Sequence, residues 1–321
     1  MYMSQIQAQY AAIRAAGLSV TLDLGLQYAP SWALQIPGSA FVDQYGDVFS
    51  PSAASGELAA NAVYNPTVQQ AQANYIQLLS GAFGKDAFQA IRVGGLLTGE
   101  LRMPGGQYNG HVNCWWAFSP TAQAGSPVPG YKPGVSPDSP TADTEFLNYY
   151  LNGMVQYQDF LEGAVRQNFN GDLEMMYPSF GVRPGDITAA IASQLNGTSV
   201  RSSELFQAVD FERLIARLPV YQTSAPNAGR IIAYTTWLDG PDFGTSPQQL
   251  SPVGFISSLA KPLNIAVAGE NTASSANSTS ALTLCKQRVT EYGLVGLMWF
   301  STTMLTSSTI VNSQMVSAPS E

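Results

Sequence analysis

The chain has 321 residues and a net charge of −8, and only 11% of its residues are charged, against about 25% in an ordinary globular protein. Its 14 Lys and Arg residues form no runs, which argues against nucleic acid or an anionic membrane as a partner, because phosphate binding needs clustered cations. No stretch approaches the ~20 apolar residues of a membrane span. We therefore expect a soluble protein that binds a neutral ligand.

The first residues and the cysteines add two further exclusions. Residues 1–7 contain neither a basic region nor an apolar core, so no signal peptide is visible, and secretion with a signal segment absent from this chain stays an alternative. Cys114 and Cys285 are expected to be buried free thiols. Neither they nor His111 has the partners or the spacing of a metal site, so we expect no metal and no cofactor.

Helix and strand patterns alternate along the whole chain. Two long loops, at about 25–64 and 102–140, exceed ordinary connections and are typical of functional loops. Apolar residues at helical spacing predict helices over 4–16, 65–84, 143–168, 186–195, 203–218, 246–261 and 280–291. Short apolar or alternating runs predict strands over 18–24, 88–97, 173–177, 230–238, 265–269 and 294–300.

This alternation predicts an α/β fold with a parallel sheet covered by helices. No glycine-rich dinucleotide fingerprint and no P-loop lysine occurs, so we favour a (β/α)8 TIM-type barrel as a single domain spanning 1–321. Such a barrel has eight strands, and its active site lies in the loops that follow them. The patterns show about six strands. Either two strands lie in segments that look like loops, or the chain begins late in the barrel.

Two of the predicted strands lead to glutamates. The strand at 88–97 leads to Glu100, and the strand at 265–269 leads to Glu270, which shares a face with the small residue Ala268. Glycoside hydrolysis needs one acid and one carboxylate partner on opposite sides of the glycosidic bond. The two glutamates predict such a pair at the mouth of the barrel, although either one alone is more often a cap or a surface ion pair.

Other polar and aromatic residues are candidates for binding or for structural roles. Asp23 and Arg92 lie in mid-strand, where a charge is costly unless paired, so we expect a hydrogen-bond or salt-bridge network inside the barrel. Asp239 either contacts sugar hydroxyls or caps a turn. Aromatic rings can stack on the apolar faces of sugars, with core packing as the alternative for each. The candidate substrate-binding residues are Tyr28, Trp32, Trp116, Tyr177, Trp237, Asp239, Asn271 and Trp299.

Several short motifs resemble the clan A glycoside hydrolases. The strand that leads into Tyr28-Ala-Pro-Ser-Trp32 resembles the third barrel strand of the family 42 β-galactosidases. By that resemblance, Glu100 falls where the clan has its acid/base, after strand four, and Glu270 where it has its nucleophile, after strand seven. Trp299 matches the aromatic residue beneath the sugar. The resemblance also implies that the first two strands of the barrel are missing from this chain.

Two features differ from the clan pattern. Gly99 stands where the clan usually has Asn before its acid/base, so the hydrogen bond from that Asn to the sugar 2-hydroxyl must come from another residue or is absent. Residues 99–104, Gly-Glu-Leu-Arg-Met-Pro, resemble the Gly-Glu-Leu-Arg-Tyr-Pro of β-amylases, an inverting barrel family.

The sequence therefore predicts a glycoside hydrolase that cleaves a neutral oligo- or polysaccharide with retention. Glu100 is the expected general acid/base and Glu270 the expected nucleophile, and the nucleophile is expected to have a low pKa. The alternatives are an inverting, β-amylase-like hydrolase and a non-catalytic carbohydrate-binding barrel. A barrel enzyme for phosphorylated metabolites is disfavoured, since no phosphate cradle is visible. The sugar, the linkage and the oligomeric state cannot be read from the sequence.

Overall fold

The computed structural model describes residues 2–50, 58–196, 203–224, 228–275 and 278–300. Within these ranges the centre of the fold is a six-stranded sheet, in which strand order follows chain order and neighbouring strands run parallel. The strands are β1 Thr21–Asp23, β2 Ala90–Val93, β3 Asp172–Tyr177, β4 Ile231–Thr235, β5 Ala266–Glu270 and β6 Gly296–Met298. The six strands predicted from the sequence are thus confirmed.

Helices connect successive strands. They are α1 Tyr2–Ala15, α2 Pro66–Phe83, α3 Pro120–Ala124, α4 Pro140–Asn168, α5 Asp186–Ala192, α6 Phe211–Ile215, α7 Leu218–Ser224, α8 Pro252–Ala260 and α9 Thr279–Tyr292. Several begin with a capping side chain followed by proline, which satisfies free N–H groups and fixes φ at the first helical position. The caps of this kind are Asn65, Ser119, Ser139 and Ser251.

Two predicted helices differ from the structure. The helix expected from residue 246 begins only at Pro252, because Ser251 caps it there and the preceding residues form turns. The segment 203–218, predicted as one helix, is interrupted. Asp210 has extended backbone and accepts a hydrogen bond from the Arg213 N–H, so a new helix, α6, starts after it.

The two faces of the sheet differ in chemistry. The outward side chains of β2 and β3, among them Ile91 and Met175, belong to the main hydrophobic core. The inward face carries Arg92, Glu174 and Glu270 together with a small apolar cluster. That cluster consists of Met176, Ile232, Tyr234 and Ala268. The predicted parity of β5, with Ala268 and Glu270 facing inward, is confirmed.

The sheet is strongly curved but open. Arg92 Nη1 on β2 lies 3.1 Å from Met298 Sδ on β6, although in a flat sheet strands four positions apart would be ~19 Å from each other. This contact shows barrel-like curvature. Within the described residues, however, β1 and β6 each pair on one side only, so the structure forms part of a barrel and an eight-stranded ring is not seen.

The structure also bears on the expectations for the cysteines, for membrane-spanning helices and for metal sites. Cys114 and Cys285 are buried and free, as predicted, and burial raises the pKa of each thiol to about 12. Across the described ranges, no helix has the length and apolarity needed to cross a membrane. The same residues contain no group of three or more His, Cys, Asp or Glu side chains placed to hold a metal ion.

Candidate active site

Glu100 lies at the barrel mouth, in the segment that follows β2. Its Oε1 accepts a hydrogen bond of 2.7 Å from the Thr236 hydroxyl, just beyond β4. Its Oε2 lies 2.8 Å from the Thr98 hydroxyl and 2.9 Å from Arg102 Nε. The side chain is 12% exposed. Contacts from two strand ends therefore hold the carboxylate in one position while leaving part of it accessible.

The backbone before Glu100 is irregular. Thr98 has a φ of 57° and Gly99 one of 79°, and the left-handed region costs a β-branched residue about 1–3 kcal/mol. The segment also folds back on the end of β2. A Cβ atom at Gly94 would lie 2.3 Å from the Gly99 carbonyl oxygen, so only glycine permits this approach. Strain and close backbone contact together place Glu100.

Glu270 is the last residue of β5 and extends a regular strand. Its Oε2 accepts a hydrogen bond of 2.7 Å from the Tyr234 hydroxyl and lies 3.4 Å from Arg92 Nη1. The Arg92 Nε also donates to Glu174 Oε2 at 2.8 Å, and Arg92 Nη2 lies 2.8 Å from the same oxygen. Glu270 therefore belongs to a buried network of one cation, two carboxylates and a phenol. The hydrogen-bond and salt-bridge network expected around Arg92 is thus present.

The pKa of Glu270 differs from the predicted one. Burial raises it, and the nearby negative charges of Glu100 and Asp23 raise it further, while the hydrogen bond from Tyr234 and the charge of Arg92 lower it. The expected low pKa of this carboxyl group is thus wrong, because desolvation outweighs the single shared cation. Glu100 and Glu270 are both held at the same end of β4, by Thr236 and Tyr234 respectively.

Two predicted sugar-binding residues are instead part of the core. Trp116 is fully buried, and its indole N–H donates to the Gly105 carbonyl at 3.1 Å. Tyr177 is fully buried on the outward face of β3, and its hydroxyl donates to Gln158 Oε1 at 2.9 Å. Both side chains are therefore enclosed by the protein, and neither presents a face to a ligand.

Polar candidates near β5 are engaged by the protein. The Asn271 amide accepts from the Phe300 N–H at 2.6 Å and donates to the Phe300 carbonyl at 2.9 Å. Asp239 accepts from the Thr272 N–H at 2.9 Å and from the Thr272 hydroxyl at 3.1 Å. These contacts fix the loop after β5. In the described residues Asp239 binds this loop and not its own turn before Gly240, and its contact with sugar hydroxyls stays a prediction.

The remaining aromatic candidates lie in three places. Tyr28 and Trp32 are exposed and line a cavity of about 420 Å³ on the outer side of β1 whose lining includes neither glutamate. Trp237 packs edge-on against the exposed ring of Phe180, with centroids 4.7 Å apart. Trp299 is buried immediately after β6. A role of these four side chains in sugar binding stays a prediction.

Asp23 occupies the open edge of the sheet. Its Oδ1 accepts a hydrogen bond of 3.0 Å from the Gly25 N–H, so it caps the turn after β1.

The partners of Arg92 were not predicted. Glu174 is paired with Arg92 in the β2–β3 register, so an arginine in mid-strand is a signal to look for a carboxylate at the matching position of the next strand. On β4, Ile232 is paired with Glu174, and Tyr234 is the next residue of that strand that faces inward.

Two solved structures share this fold. The catalytic domain of β-amylase from Paenibacillus polymyxa matches with a TM-score of 0.63 and 17% identity, covering 94% of this chain and 80% of that one. The β-galactosidase from the psychrophilic Marinomonas ef1 matches with a TM-score of 0.56 and 11% identity, covering 92% of this chain and 46% of that one. No family model and no curated protein matches the sequence. The resemblance to these barrel proteins is thereby confirmed at the level of the fold.

Proposed function

We propose that the protein hydrolyses glycosidic bonds of a neutral carbohydrate. Glu100 donates a proton to the leaving oxygen, and Glu270 acts as the carboxylate on the other side of the bond. The observation that carries this proposal is the pair itself: two carboxylates from the ends of β2 and β5, both anchored at the end of β4, by Thr236 and Tyr234. The shared fold with proteins named β-amylase and β-galactosidase supports it.

The network around Glu270 suits a partner for positive charge. The transition state of glycoside hydrolysis resembles an oxocarbenium ion, which an ionised carboxylate stabilises. Arg92 and the Tyr234 hydroxyl both favour the ionised form of Glu270. Glu174 shares the positive charge of Arg92, so the arginine does not fully neutralise Glu270. A negative charge is therefore retained beside the reacting carbon.

Retention at the anomeric carbon is the outcome expected from the β-galactosidase resemblance, but three observations favour inversion as a second candidate. Residues 99–104 resemble the β-amylase motif, and the β-amylase domain has the higher TM-score. The raised pKa of Glu270 also suits a general base that takes a proton from water. Carboxyl groups about 5–5.5 Å apart would favour retention, and about 6.5–9.5 Å would favour inversion.

A panel of 4-nitrophenyl glycosides and oligosaccharides tests the proposal. We expect Glu100→Gln and Glu270→Gln each to lower kcat at least ~1,000-fold on a substrate cleaved by the wild type, since each removes a reacting group. Glu145→Gln, on the exposed side of α4, is the matched control. NMR of the first product then distinguishes retention from inversion.

Two results would contradict the proposal. One is full activity in both glutamine variants. The other is binding of an oligosaccharide with no turnover by the wild type, which would indicate a non-catalytic carbohydrate-binding barrel.

A further inference from the structure

Gln27 lies in the loop after β1, and its side chain lies beside the segment after the neighbouring strand β2, which carries Glu100. A Cβ atom at Gly99 would lie 3.0 Å from Gln27 Nε2 and 2.9 Å from Met176 Cε. Met176 belongs to the inward-facing apolar cluster of the sheet. The side of Gly99 that lacks a side chain therefore faces the inside of the mouth, and the Gln27 amide occupies the space beside it.

The Gln27 side chain is mostly buried, but its amide has no protein partner in the described part of the chain. The residue is only 8% exposed, yet within the described residues nothing forms a hydrogen bond with its side-chain amide. The Gln27 carbonyl accepts from the Leu58 N–H at 2.9 Å, so the backbone is fixed. The amide atoms are not among the fully enclosed polar atoms of the described residues that lack a partner, so the small exposed part of the residue includes the amide, which is accessible to a ligand.

Gln44 shows what a structural glutamine looks like in this fold. Its Nε2 donates to the Asn113 carbonyl at 2.6 Å and to the Pro133 carbonyl at 3.3 Å. Its Oε1 accepts from the Trp115 N–H at 2.9 Å. Gln44 therefore satisfies its amide within the protein and connects two loop segments, whereas Gln27 does neither.

We infer that Gln27 is a substrate-binding residue, whose amide hydrogen bonds to a hydroxyl group of the sugar held between Glu100 and Glu270. This inference rests on the proposed function. An amide offers a donor and an acceptor together, as a hydroxyl group does, and it carries no charge, which suits a neutral ligand. A sugar hydroxyl would satisfy the amide that the protein leaves unpaired.

Gly99 makes this arrangement possible. Its φ of 79° lies in the region that favours glycine, and a side chain there would press on both Gln27 and Met176. The residue before Glu100 thus contributes no polar group of its own. The polar group at this position is the Gln27 amide, which comes from the loop after β1, whereas Glu100 follows β2.

The test compares Gln27→Leu with the wild type on a 4-nitrophenyl glycoside that the wild type cleaves and on its monodeoxy analogues. We expect kcat/KM to fall about tenfold in Gln27→Leu, the effect of one lost hydrogen bond. For one monodeoxy analogue, the ratio of kcat/KM between wild type and variant should return to about one. Comparing ratios removes the intrinsic reactivity of each deoxy sugar.

Thermal unfolding separates binding from a structural role. Gln27→Leu is expected to keep the Tm, because it removes no hydrogen bond within the protein. Gln44→Leu should lower the Tm by several degrees, since it leaves three partners unsatisfied. Gln70→Leu, on the exposed face of α2, should change neither quantity.

Two results would overturn the inference: a clear drop in Tm for Gln27→Leu, or equal ratios for all the deoxy analogues. If the wild type cleaves no glycoside, the proposed function fails, and calorimetric binding of the oligosaccharides decides the role of Gln27 separately. An unchanged affinity in Gln27→Leu, or no binding by the wild type, would then reject that role.

Discussion

The two glutamates of the site are placed by opposite means. Glu270 continues a regular strand, and side-chain alternation alone directs it inward, where Arg92 and Tyr234 hold it. Glu100 follows a turn with left-handed backbone at Thr98 and is held by residues that surround that turn. The backbone at Glu270 is regular, so the energetic cost of placing this residue is the burial of its charge. The cost of placing Glu100 is the strain of the left-handed backbone before it.

The largest effect should come from removing the cation beside Glu270. Arg92→Met leaves Glu174 and Glu270 as uncompensated carboxylates in the barrel interior, and breaking a buried ion pair in this way costs about 3–5 kcal/mol. Urea unfolding at pH 7 measures the change. Arg230→Met removes an exposed arginine that pairs with Asp172 at 2.7 Å and should cost less than about 1 kcal/mol. Equal losses of unfolding free energy in the two variants would contradict the expected difference between a buried and an exposed ion pair.

A backbone clash should give the next largest effect. Gly94→Ala places a methyl group 2.3 Å from the Gly99 carbonyl oxygen and 2.6 Å from the Glu100 carbonyl carbon. Because the obstacle is backbone, we expect a loss of about 3 kcal/mol in unfolding free energy, with activity reduced as Glu100 shifts. Gly163→Ala is the control, since nothing lies within 4 Å of its added methyl group. That helical variant should gain about 0.5–1 kcal/mol. Wild-type stability in Gly94→Ala would show that the turn can relax.

The regular strand at Glu270 and the irregular turn before Glu100 also differ in how well the sequence predicts them. The order of the strands and the inward direction of Glu270 could be predicted, because alternation in a strand is a local rule with a period of two. The turn before Glu100 could not. Its left-handed Thr98 has no local signal, and the contact of Glu100 with Thr236 joins residues far apart in the chain.

The same limit explains the errors at Trp116 and Tyr177. An aromatic side chain in a polar loop or near a strand end can stack on a sugar or pack under a helix, and composition does not distinguish the two. Tertiary contacts decide, as with the Trp116 indole N–H that donates to the Gly105 carbonyl at 3.1 Å. Gln27 was missed for the converse reason: its interest lies in hydrogen bonds that the fold does not supply.

A smaller effect is expected from relieving strain at Thr98. Thr98→Gly removes the cost of a left-handed β-branched residue and should raise the unfolding free energy by about 1 kcal/mol. It also removes the hydroxyl 2.8 Å from Glu100 Oε2, so kcat should fall several-fold. Asn264→Gly is the control, because its φ is 56° at a helix end outside the site. That variant should keep full activity. A gain in both stability and activity at Thr98 would mean that the strain does not serve Glu100.

The smallest and most specific effect is a pH dependence carried by Glu270. Since its pKa in the folded state is raised above the ordinary value of 4.5, the folded state binds the proton more tightly than the unfolded chain. The stability contributed by this group is therefore present below about pH 4.5 and is lost as pH rises through the folded-state pKa. Glu270→Gln cannot titrate, so its stability relative to wild type should increase from pH 4 to pH 7. Urea unfolding across this range, with Glu145→Gln in parallel, measures the difference. A difference in unfolding free energy, variant minus wild type, that stays constant with pH would mean that Arg92 and Tyr234 balance burial, and one that falls toward pH 7 would mean that they outweigh it. Glu270 would then be a low-pKa carboxylate, as a nucleophile requires.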